Sequence, residues 1–193
     1  MTEDSDTKQN ITGDDNVQIN SAGDTIAAIG DGSIAAEGNI TINNVQGIPP
    51  EDYAKRLAEI KSLEEQLAQL KQESDEEKQI AIAKQASILA EKMSSEDNIE
   101  FTVGKLLELG SVSELAGRFE LAEGHYRQAL RKSKQSNDLE GVSMSTTSVA
   151  NLAVKRGDYE DAEELYLSAL EIDRKLGNRY AEALVLNNLG TIA

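Results

Sequence analysis

Cysteine is absent from this chain, and histidine occurs once, at His125. Without thiols there is no disulfide, no thiol nucleophile and no cysteine-containing zinc site, and a lone imidazole offers no histidine pair to a metal. The missing disulfides fit a cytoplasmic protein. Tryptophan is absent too, and aromatic residues make up 4% of the chain. A core must therefore be built from Leu, Ile, Val and Ala, which favours helices and stacked short units over a large sandwich. Basic residues are outnumbered, 19 Lys and Arg against 35 Asp and Glu, for a formal charge of −16. A surface of that sign repels phosphate backbones and anionic lipid, which bind through Lys and Arg, so neither nucleic acid nor membrane is an expected partner. No apolar run approaches the length of a membrane span. The terminus Met1-Thr2-Glu3-Asp4-Ser5-Asp6 is acidic where an export signal is basic and then apolar. No G-x-S-x-G nucleophile turn, G-x-x-x-x-G-K-[ST] phosphate loop or G-x-G-x-x-G dinucleotide turn occurs. The expectation is a protein with no enzymatic activity, no cofactor and no metal.

What is there divides into stretches of different periodicity. After an acidic arm, 1–9, expected to be disordered, residues 10–48 read as short strands. Asn16-Val17-Gln18-Ile19-Asn20 and Asn39-Ile40-Thr41-Ile42-Asn43 alternate polar and β-branched residues, which puts the apolar set on one face. Gly13-Asp14, Gly23-Asp24, Gly30-Asp31 and Gly38-Asn39 punctuate the run at spacings of 10, 7 and 8 residues, marking turns. So short a segment, with small side chains at Ala27, Ala28, Ala35 and Ala36, buries too little surface alone to offset its ordering entropy. The prediction is pairing with copies of itself as an intertwined β-prism or β-solenoid, with Val17, Ile19, Ile26, Ile29, Ile34, Ile40 and Ile42 as oligomerisation residues.

Pro49-Pro50 breaks the strand pattern, and Glu51-Asp52 place negative charge at the positive end of a helix. Over 49–77 the apolar residues Ile60, Leu63, Leu67 and Leu70 step by 3, 4 and 3, a heptad seam read either as a short coiled coil that brings chains together or as an amphipathic helix packed on the same chain's repeats. Residues 78–99 continue as a helix expected to cover one end of the structure formed by 103–193. Ser94 or Ser95 is expected to cap the next helix.

The clearest signal is an internal repeat at an offset of 40 residues. The run from Gly117 through Phe119, Glu120, Ala122, Glu123, Tyr126 and Ala129 to Leu130 recurs as Gly157, Tyr159, Glu160, Ala162, Glu163, Tyr166, Ala169 and Leu170. Upstream, Leu109-Gly110, Val149-Ala150 and Leu189-Gly190 keep the same step. The pattern is that of a helical hairpin. Gly117 and Gly157 stand where a first helix ends in a left-handed turn. Small alanines lie where helices approach closely, with the Tyr126 and Tyr166 rings opposite. Neither hairpin buries its faces alone, so the units must stack.

These residues resemble the tetratricopeptide repeat, in the 40-residue variant found in kinesin light chains, although the family's Trp and terminal Pro are missing. The resemblance implies a mainly α fold: tetratricopeptide-type helical hairpins, an α-solenoid, over 103–193, with two full units and a third that enters its first helix. The N-terminal β-rich oligomerising segment and a linking helix or coiled coil precede it. It also implies a concave groove, lined by the first helices, that holds a protein or peptide partner. Mapped here, the groove residues are Glu108, Ser111, Thr147, Ser148, Asn151, Lys155, Asn187, Asn188 and Thr191, with Asn151 and Asn188 foremost because an amide side chain bonds both a peptide N–H and a C=O. Lys155 is the only basic residue among them, too few for the family's carboxylate clamp. The expected function is that of an oligomeric scaffold whose copies display the repeats with avidity. The alternatives are a self-assembling structural protein, forming a filament or cage, and the regulatory part of a larger signalling enzyme.

Overall fold

The computed structural model describes residues 19–21, 24–29, 33–36, 39–43, 50–95 and 99–192; the expected acidic arm and Val17 lie outside them. Four short strands, β1 (Ile19–Ser21), β2 (Asp24–Ile29), β3 (Ser33–Ala36) and β4 (Ile40–Ile42), are joined by a fifth from between two helices, β5 (Ile99–Phe101). Sheet order follows chain order, and every neighbouring pair is antiparallel. The register aligns Ile19, Ile26, Ala36, Ile40 and Phe101 in one row and Ala28, Ile34, Ile42 and Ile99 in another, with Ile29 opposite Ser33 in the alternate set. This antiparallel meander within one chain replaces the expected solenoid or intertwined prism.

Two helices complete the head. Helix α1 (Pro50–Gln72) starts at the second proline, whose missing N–H costs nothing at a first helical position. Helix α2 (Glu76–Ser94) starts where the Asp75 side chain accepts from the Lys78 N–H at 3.1 Å. Ile60, Leu63 and Leu67 of α1 are buried in one core with Ile40, Ile42, Ile99, Phe101 and Met93, while Leu70 packs on its margin. The heptad seam is therefore covered by this chain's own sheet and helices. Within the single chain Ile40, Ile42, Ile60, Leu63 and Leu67 are buried at 0–2% exposure. Ser95 closes α2 instead of opening the next helix, and Thr102 supplies that cap, its hydroxyl accepting from the Lys105 N–H at 3.2 Å.

Five more helices complete the chain: α3 (Val103–Leu115), α4 (Phe119–Gln135), α5 (Leu139–Arg156), α6 (Tyr159–Leu176) and α7 (Arg179–Ile192). The turns recur every 20 residues. Gly117, Asn137, Gly157 and Gly177 all adopt positive φ, at 74°, 55°, 85° and 68°, and the next residue's N–H returns to the carbonyl five positions back, at 2.8–2.9 Å each time. Each turn thereby satisfies a carbonyl that the ending helix orphans. Each helix packs on the next, so the hairpins α3–α4 and α5–α6 stack and α7 adds a single helix to the end. The expected fit of ring against small residue is present: a Cβ added to Gly110 would stand 2.8 Å from Cζ of Tyr126 and nearer still to two other ring carbons. Tyr166 is buried in a second cluster with Ala150, Ala162, Ala169, Leu170 and Val185.

Candidate protein-binding face

The first helices α3, α5 and α7 each present one polar face, and the tyrosines of the second helices reach it. The Tyr126 hydroxyl donates to Glu114 Oε2 at 2.9 Å, and Glu114 is ion-paired with Lys155 of the next first helix. One hairpin on, the Tyr166 hydroxyl donates to Asn151 Oδ1 at 2.6 Å, and the same oxygen accepts from Asn188 Nδ2 of α7 at 3.1 Å. The chemistry differs between units while the arrangement repeats: a buried ring, a hydroxyl at its tip, a side chain of the same hairpin, then one from the next. Burial pushes both phenols up, and at Tyr126 the adjacent Glu114 carboxylate acts in the same direction.

Of the residues assigned to the groove, Asn151 and Asn188 are brought into direct contact, both half-buried. Thr147 and Ser148 are half-buried on α5, and Lys155, Asn187 and Thr191 are exposed. Ser148 and Thr191 return their hydroxyls to the carbonyls of Met144 and Asn188 at 3.0 and 2.6 Å. Ser111 is exposed on α3 beside the Tyr126 hydroxyl. Glu108 stands differently. It bonds Lys105 at 2.8 Å and pairs with Lys71 of α1 at 2.7 Å, while Lys105 also reaches Glu64 of α1 at 3.0 Å. Burial raises the Glu108 carboxyl, but hydrogen bonds and charge from the two lysines outweigh that and hold it below the usual carboxylate range. Helix α1 thus crosses the Glu108 end of α3, and the open face runs over Ser111, α5 and α7.

Three features lie beyond the sequence-based expectations. Glu114 and the two tyrosine hydroxyls join the polar chain, which the spacing of Ser111 and Glu114 on one helix face could have indicated. Met144 and Leu184, 40 residues apart, are exposed at 53% and 47% on the helix faces that carry Thr147, Asn151, Asn187 and Asn188. Away from the face, His125 is buried against Ser113, its Nδ1 3.4 Å from the Ser113 hydroxyl, and desolvation lowers its pKa to about 4. Among the described residues no group of three His, Asp or Glu side chains could hold a metal, and no helix is long and apolar enough to cross a membrane.

The tetratricopeptide repeat family model matches residues 102–175, the stretch from the Thr102 cap through α6. Over these residues the chain has a tetratricopeptide-type helical repeat fold. Tetratricopeptide repeats typically mediate protein–protein interaction and scaffolding, and they are generally non-catalytic. The crystal structure of BtubC (BKLC) from P. vanneervenii is similar to this chain at 23% identity and a TM-score of 0.47, over 73% of this chain and 60% of that one. The chain therefore spans about three-fifths of that protein's length. No curated protein matches it.

Proposed function

We propose that this tetratricopeptide repeat chain is a non-enzymatic, cytoplasmic adaptor that binds a protein partner as an extended peptide along α5 and α7. The observation that carries this reading is the Tyr166–Asn151–Asn188 chain. Asn151 Oδ1 accepts twice, so its carboxamide is fixed in orientation, and among the described residues no hydrogen bond engages Asn151 Nδ2 or Asn188 Oδ1. A donor and an acceptor held side by side match one peptide unit, whose C=O and N–H they can bond whatever its side chain. Met144 and Leu184 supply apolar contact on the same helix faces, and the Lys155–Glu114 pair lies at the other end of α5. Such a face recognises backbone and one or two apolar side chains, not a terminal carboxylate.

The test is selection of random peptides on the full chain, repeated with the double variant Asn151→Ala, Asn188→Ala. Enriched peptides should carry apolar residues and should lose at least about tenfold in affinity on the double variant, since two hydrogen bonds of about 1 kcal/mol each are removed. Peptides that bind both proteins equally would refute the assignment.

A further inference from the structure

The 40-residue period lets the seam between α4 and α5 be compared with the same seam one unit on, between α6 and α7. On α5 the residues that face α4 are Gly141, Ser145, Val149 and Leu152. Val149 and Leu152 pack with Ala122 and Tyr126 of α4, and a Cβ added to Gly141 would stand 2.5 Å from the Ser133 hydroxyl of α4. Ser145 lies one turn from both Gly141 and Val149, on the same helix face. The counterparts on α7 are Ala181, Val185, Leu189 and Ile192, of which the last three pack with Tyr166 of α6. Gly141, Ser145 and Val149 are each smaller than their counterparts, and Ser145 is polar where Val185 is apolar.

Less apolar surface therefore holds the α4–α5 seam. Its buried cluster, Ala122, Tyr126, Val149 and Leu152, is the smallest of three among the described residues. On one side α1, α2, α3, β4 and β5 share a larger core, and on the other α6 and α7 share a core with Ala150 of α5. Toward the α4–α5 turn the seam runs into Ser133 and Ser145, both wholly buried, whose hydroxyls make no hydrogen bond among the described residues. They give up solvation without a return. At the other end two ion pairs from the last turn of α5 cross to the first hairpin, Lys155 to Glu114 of α3 and Arg156 to Glu123 of α4. Lys155 and Arg156 are 55% and 32% exposed, so water and salt screen both pairs.

We propose that the α4–α5 seam is the hinge of this molecule. The head with α3 and α4 moves as one block, α5 to α7 as a second, and the angle between the blocks varies. The hinge crosses the polar face described above. Ser111 and Glu114 stand on α3 in the first block, whereas Asn151 and Asn188 stand on α5 and α7 in the second, so bending changes the spacing between the two sets. The Tyr166–Asn151–Asn188 chain lies wholly within the second block and keeps its geometry. The hinge rests on the packing alone, not on the peptide-binding reading.

Because the chain has no cysteine, spin labels can be placed at chosen exposed positions. Arg131→Cys on α4 with Ser168→Cys on α6 spans the seam, and Lys84→Cys on α2 with Arg131→Cys stays within the first block. Pulsed dipolar spectroscopy of the full chain should give a distance distribution at least about twice as broad across the seam as within the block, and broader at about 0.5 M salt than at about 0.05 M. Ser145→Val copies the residue of α7, and Ser145→Ala removes the hydroxyl without adding bulk. Each should narrow the cross-seam distribution by at least about a third and leave the other pair unchanged; the alanine variant decides if the valine variant fails to fold. Equal widths for the two pairs, or a cross-seam width that neither salt nor Ser145→Ala alters, overturn the proposal.

Discussion

Replacing Leu63 by alanine asks whether the seam of α1 belongs to the chain's own core. Leu63 is wholly buried, in a cluster that joins α1 to β4, β5, α2 and α3. Leu→Ala at such a site loses the transfer free energy of the removed carbons and leaves a cavity that relaxes only in part, about 2–5 kcal/mol in all. Neighbours come from several elements, so the site cannot collapse by moving one of them, and about 3 kcal/mol is expected. With a urea dependence of about 2 kcal/mol per molar, the unfolding midpoint falls by about 1.5 M. The assay is urea unfolding followed by far-ultraviolet circular dichroism at two protein concentrations about tenfold apart. An intramolecular seam gives the same loss at both concentrations and no change in solution mass. A loss below about 1 kcal/mol, or one that grows on dilution, would mean that Leu63 is covered by another chain.

Two glycines at equivalent repeat positions should answer alanine in opposite directions. Gly110→Ala meets the Tyr126 ring and should cost about 1–3 kcal/mol by overpacking. Gly190→Ala enters open space and should be neutral or gain up to about 1 kcal/mol of helix propensity; thermal melts of both variants decide. His125 is the chain's only histidine and stays neutral in the fold, with its pKa lowered from 6.5 to about 4 by burial. Between those values the unfolded chain binds the extra proton, so stability present above pH 6.5 is lost progressively as pH falls toward 4. Unfolding free energies measured across that window should flatten in His125→Gln, and an unchanged slope would place the cause elsewhere.

The repeats are legible in the sequence because their signals are local. Gly117 and Gly157 announce left-handed turns by residue type, and the alternation of small residues with tyrosine announces close helices. Asn137 fills the role that Gly177 fills one unit later, at positive φ in both cases; a search for glycine alone passes over it. The head is harder to read because its structure depends on pairings distant in sequence. Three residues, Ile99–Phe101, become a strand only because β4 lies alongside, with Ile40 opposite Phe101 and Ile42 opposite Ile99. The heptad steps of α1 do mark one apolar face, but periodicity says nothing of what covers that face, and here it is the same chain. Glu108 shows the matching limit at the binding face. Its place on α3 follows from the repeat, whereas the helix that crosses it, through Lys71 and Glu64, is outside the repeat altogether.

The central claim is that the face along α5 and α7 receives a polypeptide. Its most direct test is amide chemical-shift mapping of the full chain titrated with a peptide selected on it. The account predicts the largest shifts at Thr147, Asn151, Asn187 and Asn188, including the side-chain amides of Asn151 and Asn188. Shifts centred on the outer faces of α4 and α6, or on the sheet, would contradict it.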